Sequence, residues 1–94
     1  MNNLESLQDA AALLGILANK SRMLILSLLC EAEWDVTSLA KELQMSQSAL
    51  SQHLKKMRDL QLVSTRRVAQ TVYYSCRHEG VGKVLDALEK LYRV

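Results

Sequence analysis

The side chains best suited to chemistry in this 94-residue chain lie between Ser46 and Arg58, and the chemistry they suit is recognition. Leu50, Leu54 and Met57 recur at spacings of four and three, which predicts a helix from Ser46 to Asp59 with these three on one face. Gln47, Ser48, Ser51, Gln52 and Lys55 fall on the opposite face. Such short amide and hydroxyl groups allow close approach to another surface. A glutamine amide can pair with the edge of adenine, and serine adapts to base or phosphate. Lys55, Lys56 and Arg58 add positive charge toward the helix end. Ser46 is an N-cap candidate, its hydroxyl accepting from a first-turn N–H. Taken alone, the pattern also suits an ordinary amphipathic helix with a solvated polar face. The flanking segments shift that balance.

Upstream, Asp35 is a good N-cap for a short helix over Val36–Leu43, with Val36, Leu39, Ala40 and Leu43 inward. Only Gln44-Met45 separates it from Ser46, so the two helices form a helix-turn-helix, although the usual turn glycine is absent. Downstream, Leu62–Arg67 and Gln70–Cys76 are rich in β-branched and aromatic residues and read as the two strands of a hairpin. Val68-Ala69 suits a tight two-residue turn poorly, so a longer mobile loop is expected there. Arg66, Arg67, Gln70 and Thr71 place polar and basic groups on that hairpin, beside the polar helix. A basic hairpin straight after a recognition helix is what a winged helix needs to track a nucleic-acid backbone.

The remaining elements are scaffolding. A helix over residues 4–18 carries Leu4, Leu7, Ala11, Leu14 and Ala18, widened by Ala10, Leu13 and Leu17. It is more apolar than one small core requires, so a second copy of the chain is its expected partner. Glu31–Trp34 reads as a loop. It follows a central helix over Lys20–Glu31, where Met23–Cys30 is almost continuously apolar. Arg22, near its start, is placed either to touch a phosphate or simply to be solvated. Val81, Val84, Leu85, Leu88, Leu91 and Tyr92 share one side of a last helix over Glu79–Tyr92. Packing of first and last helices about a two-fold axis predicts a homodimer, with recognition helices about 34 Å apart on an inverted repeat.

The fold class is therefore mainly α with one β-hairpin, a single domain over residues 1–94. Net charge is +2, with the positive excess between residues 20 and 77. That is where phosphate neutralisation would need it, so double-stranded DNA is the expected partner. No apolar run is long enough for a membrane span and no basic-then-apolar leader opens the chain, so a cytoplasmic protein is expected. No carboxylate pair, nucleophile–base set or glycine-rich phosphate loop points to an enzyme. Cys30 and Cys76 read either as small packing residues and spare thiols or as a thiol switch, since bridging depends on their Cα separation.

Four stretches carry a resemblance to a known family: Ala18–Leu26, Ser46–Leu54, Leu62–Arg67 and Ala69–Tyr74. Together they resemble the ArsR/SmtB family of bacterial winged-helix repressors, over residues 10–92. The resemblance implies the order α1-α2-α3-α4-β1-β2-α5, dimerisation through α1 and α5, and repression at an operator. It also implies that Gln47, Ser48, Ser51, Gln52 and Lys55 face the major groove, with Arg66 and Arg67 on the wing. Arsenic- or cadmium-sensing members carry cysteines where this chain has Asp35 and Thr37. Zinc sensors use positions equivalent to His78, Gly80, Leu91 and Val94, of which only His78 could ligate, and a closed site needs four. No metal or cofactor is therefore expected. The cysteine pair of redox-sensing members would fall at Ser27 and Arg93. Cys30 lies three positions beyond the first of these, and a Cys30–Cys76 redox or persulfide switch stays open as an alternative.

Overall fold

The computed structural model describes residues 4–93. Local capping sets most of the element boundaries. Helix α1 spans Leu4–Leu17, and α2 spans Lys20–Glu31. The Asn19 side chain between them accepts from Arg22 N–H at 3.0 Å, so the polar break is an N-cap and the helix begins inside it. Asp35 caps α3 (Val36–Leu43) through Ser38 N–H at 3.1 Å. Ser46 caps α4 (Gln47–Asp59) through Ala49 N–H at 3.1 Å. His78 caps α5 (Glu79–Tyr92), its Nδ1 accepting from Val81 N–H at 3.2 Å. The one histidine in a position suggestive of a metal site thus has a structural partner.

The expected loop at Glu31–Trp34 is corrected in part. Trp34–Asp35 form a short strand, β1, which the two-residue span concealed. The hairpin strands are β2 (Ser64–Val68) and β3 (Thr71–Ser75), and the sheet order is β1-β3-β2, all antiparallel. Register pairs Trp34 with Tyr74, Asp35 with Tyr73, Arg66 with Tyr73 and Val68 with Thr71. The expected long loop at the hairpin tip is also corrected. Val68 and Thr71 are paired, leaving a two-residue turn of Ala69 and Gln70. Ala69 makes that turn by adopting a φ of 54°, a left-handed conformation that costs an L residue about 1–2 kcal/mol. The strand pairing on both sides holds it there.

The helix-turn-helix also closes without glycine. Gln44 takes the left-handed position at φ 54° and ψ 47°. Its N–H bonds Lys41 O at 3.2 Å, and Met45 N–H bonds Ala40 O at 2.9 Å. These are the paired bonds of a Schellman ending. The same pair recurs after α4, where Gln61 at φ 62° donates to Arg58 O and Leu62 N–H to Met57 O, at 2.8 and 2.9 Å.

The core forms around α2, whose Ile25, Leu26 and Leu29 are fully enclosed. Leu39 and Ala40 of α3, Leu50, Leu54 and Met57 of α4, and Val81 of α5 close over them. Burying each large aliphatic side chain favours the fold by about 1.5–3 kcal/mol. Leu62, Val63 and Cys76, at the ends of the hairpin, join the same core. Cys76 N–H also bonds Leu29 O at 3.0 Å, which fastens the end of β3 to α2. Among the described residues, no single helix is long and apolar enough to cross a membrane.

Candidate nucleic-acid interface

Burial of Leu50, Leu54 and Met57 rotates α4 so that Gln47, Ser48, Ser51, Gln52, Lys55 and Lys56 are all exposed. The 3.6-residue period requires this once the apolar triad is docked. Several of these side chains already have local partners. Gln47 Nε2 donates to Thr37 Oγ1 on α3 at 3.3 Å, linking the two helices of the pair across their turn. Lys55 pairs with Asp59 one turn on at 3.1 Å, with both side chains largely solvated. An exposed i,i+4 pair of this kind is worth only about 0.3–0.5 kcal/mol, so a phosphate can displace it. Ser48, Ser51, Gln52 and Lys56 make no side-chain hydrogen bond among the described residues.

The two wing arginines differ. Arg66 lies in a bidentate pair with Glu33: Nε to Oε2 is 2.9 Å and Nη2 to Oε1 is 2.8 Å. Its guanidinium also sits 5.5 Å from the centroid of the Tyr73 ring. The Arg66 hydrogen bonds hold the Glu33 carboxyl below its ordinary pKa, and Glu33 in turn raises that of Arg66. Arg67, Gln70 and Thr71 are exposed, and Arg67 has no carboxylate partner among the described residues. Sequence reasoning grouped Arg66 and Arg67 as equivalent cations. It passed over Glu33, whose partner is 33 positions away and joined only by the sheet.

Arg22 is tied to the scaffold. Its Nε donates to Ile16 O at 2.8 Å and its Nη2 to Gly15 O at 3.3 Å, satisfying carbonyls at the C-terminus of α1. Its charge also acts on His53 of α4: the imidazole pKa is lowered first by burial, then by Arg22 and Lys56. Asn19 and Thr37 are the other contributors that sequence reasoning missed. An asparagine directly before an apolar helical run was the available signal for Asn19.

The two cysteines come together. Cys76 is buried where β3 ends, and its N–H bonds the carbonyl of Leu29, the residue before Cys30 on α2. Local burial of the sulfur, then the neighbouring Cys76 and the Glu31 charge, push the Cys30 thiol up to about 12, although the residue as a whole is exposed. Among the described residues, no group of three or more His, Cys, Asp or Glu side chains could hold a metal ion.

The arrangement is a polar helix face flanked by a wing. Residues 19–65 match the sequence model of a family described as bacterial regulatory protein, arsR family. The chain is 50% identical over 88 residues to nodulation protein NolR of Rhizobium meliloti, covering 94% of this chain and 72% of that protein. The structure of HlyU from Vibrio cholerae N16961 superposes with a TM-score of 0.89 at 39% identity, covering 98% of this chain and all of that one. A homodimeric winged helix-turn-helix DNA-binding domain from Mycobacterium bovis superposes at 0.82 with 28% identity, covering 93% of this chain and 81% of that one.

Proposed function

The chain belongs to the ArsR family of bacterial regulatory proteins, DNA-binding regulators of transcription, and from that premise we propose that it is a homodimeric repressor of an inverted-repeat operator. The observation that carries this reading is the exposed face of α4, with Ser48, Ser51 and Gln52 open for base contact. Ser46 and Gln47 set the start of that helix. Lys55, Lys56, Arg67, Gln70 and Thr71 reach phosphates on either side of it, and the Arg22 charge lies behind its middle turn.

The dimer is supported by apolar surface that one copy leaves uncovered. Leu7 and Leu14 of α1 are about half exposed, and Leu91 and Tyr92 of α5 are more than two-thirds exposed. A groove of about 850 Å³ between α2 and α5, floored by Met23, Leu24, Leu85 and Leu88, adds to it. Pairing through α1 and α5 covers this surface and sets two copies of α4 on successive turns of one DNA face. The relative from Mycobacterium bovis described as homodimeric has the same architecture.

Selection from a randomised duplex pool tests the reading, with enrichment of an inverted repeat as the expected result. Log affinity should fall linearly with log salt. A flat slope, or no enrichment at any salt, would instead indicate a protein-interaction module. Gln52→Ala should relax base preference, whereas Arg67→Ala should weaken binding to all sequences alike and make the slope shallower. Loss of affinity without any change of preference in both variants would overturn this division of roles.

The placement of Cys76 beside the Leu29–Cys30 turn of α2 favours a second reading, a repressor released by thiol oxidation or persulfide. Against it stands the high pKa of Cys30, because the thiolate is the reactive form and is scarce at neutral pH.

A further inference from the structure

We propose that Glu33 withholds Arg66 from the DNA backbone, so that the pair lowers the sequence-independent part of DNA affinity and its salt dependence. The inference rests on the DNA-binding reading above and deepens it. Three observations carry it.

The first is the grip on the guanidinium. Two of its nitrogens face both oxygens of one carboxylate at 2.8–2.9 Å, in the fork geometry that gives the strongest Arg–carboxylate contacts. The Tyr73 ring lies 5.5 Å from the same group. A phosphate would have to take the place of a partner with matching shape and charge.

The second is how the fold builds this contact. Strand β1 exists only as two residues paired to β3, and Tyr73 lies between Asp35 on one side and Arg66 on the other. That order, β1-β3-β2, brings Glu33 and Arg66 together across the middle strand. The Arg66 and Glu33 side chains remain 57% and 31% exposed, so the guanidinium stays at the surface of the wing. Arg77 also acts on the Glu33 carboxylate, but only through longer-range charge.

The third is the contrast within the wing. Arg66 and Arg67 are neighbours on β2 and point to opposite faces of the sheet. One is neutralised and the other is not. Contacts to phosphate raise affinity for every sequence, while base contacts from α4 discriminate. Neutralising one cation per wing therefore lowers affinity for every sequence and leaves the reading of bases to Ser48, Ser51 and Gln52.

The test is fluorescence anisotropy of the full chain on its selected operator and on a scrambled duplex of equal length, across a salt series. Glu33→Gln frees one Arg66 per protomer, so the slope of log affinity against log salt should steepen by about 1.8 per dimer. Between 50 and 200 mM salt that adds about a twelvefold extra loss of affinity. At low salt the operator and the scrambled duplex should gain alike, as a phosphate contact requires. Arg66→Gln should leave the slope at the wild-type value. Adding Glu33→Gln to Arg66→Gln should then change nothing further, which separates release of Arg66 from simple loss of a negative charge. An unchanged slope in Glu33→Gln, or a shallower one in Arg66→Gln, overturns the proposal while leaving the DNA-binding reading intact. Failure of the wild-type chain to bind any duplex defeats that reading itself.

Discussion

Replacing Gln44 by glycine should stabilise the protein, although it removes a side chain from the turn on which the recognition helix depends. Gln44 sits at φ 54° and ψ 47°, and its N–H and that of Met45 close α3 onto Lys41 and Ala40. The left-handed conformation costs an L residue about 1–2 kcal/mol, which glycine does not incur. Glycine loses about 0.5–1 kcal/mol through the greater freedom of its unfolded chain. The difference leaves a net gain of about 0.75 kcal/mol at the centre of the two ranges. The Gln44 side chain is exposed and makes no hydrogen bond among the described residues, so little else changes. For a domain of this size the gain corresponds to a rise of about 3–6 °C in Tm, measured by thermal unfolding at fixed protein concentration. Gln61→Gly should act alike after α4, because Gln61 holds φ 62° with the same pair of bonds. Gln44→Val should fall on the other side of wild type, since β-branching makes the left-handed region worse. A lower Tm for Gln44→Gly would refute the left-handed turn and the inter-helix geometry built on it.

Gly80→Ala should destabilise the start of α5, because a Cβ there would lie 2.9 Å from Cε1 of the capping His78 ring. Loss of that cap costs about 0.5–2 kcal/mol, readable in chemical denaturation at constant m. Acid should weaken the fold in two windows. The pKa of His53 is depressed, so its contribution is fully present above its ordinary value of 6.5 and is lost as pH falls from there to its folded value; His53→Gln should remove this first phase. Glu33 and Asp35 are depressed by the Arg66 and Ser38 hydrogen bonds, so their contributions disappear only as pH drops below their ordinary values of 4.5 and 3.8, through the folded ones; carboxyl NMR titration should show both folded values. DNA affinity of Cys30→Ser/Cys76→Ser should match wild type in reductant and after mild oxidation, and a loss confined to oxidised wild type would favour the thiol-switch reading.

The chain itself determined whatever depends on neighbours within a few positions. Periodicity placed Leu50, Leu54 and Met57 inward and so determined which side chains α4 exposes. Asp35 and Ser46 marked two helix starts because a cap acts on N–H groups only three residues ahead. The hairpin strands were legible from composition, and their bounds shifted by no more than two residues. The tertiary structure decided what depends on partners remote in sequence. A two-residue strand such as β1 has no periodicity to detect and exists only through its pairing with Tyr73 and Tyr74. Gln44 and Ala69 accept left-handed backbone because packed helices and paired strands hold both ends of each turn, which overrides local preference. Cys76 comes beside Cys30 because β3 ends against α2, with Cys76 N–H on Leu29 O. Arg66 and Arg67 are indistinguishable as adjacent residues, and only the sheet order that brings Glu33 to one of them separates a neutralised cation from an open one.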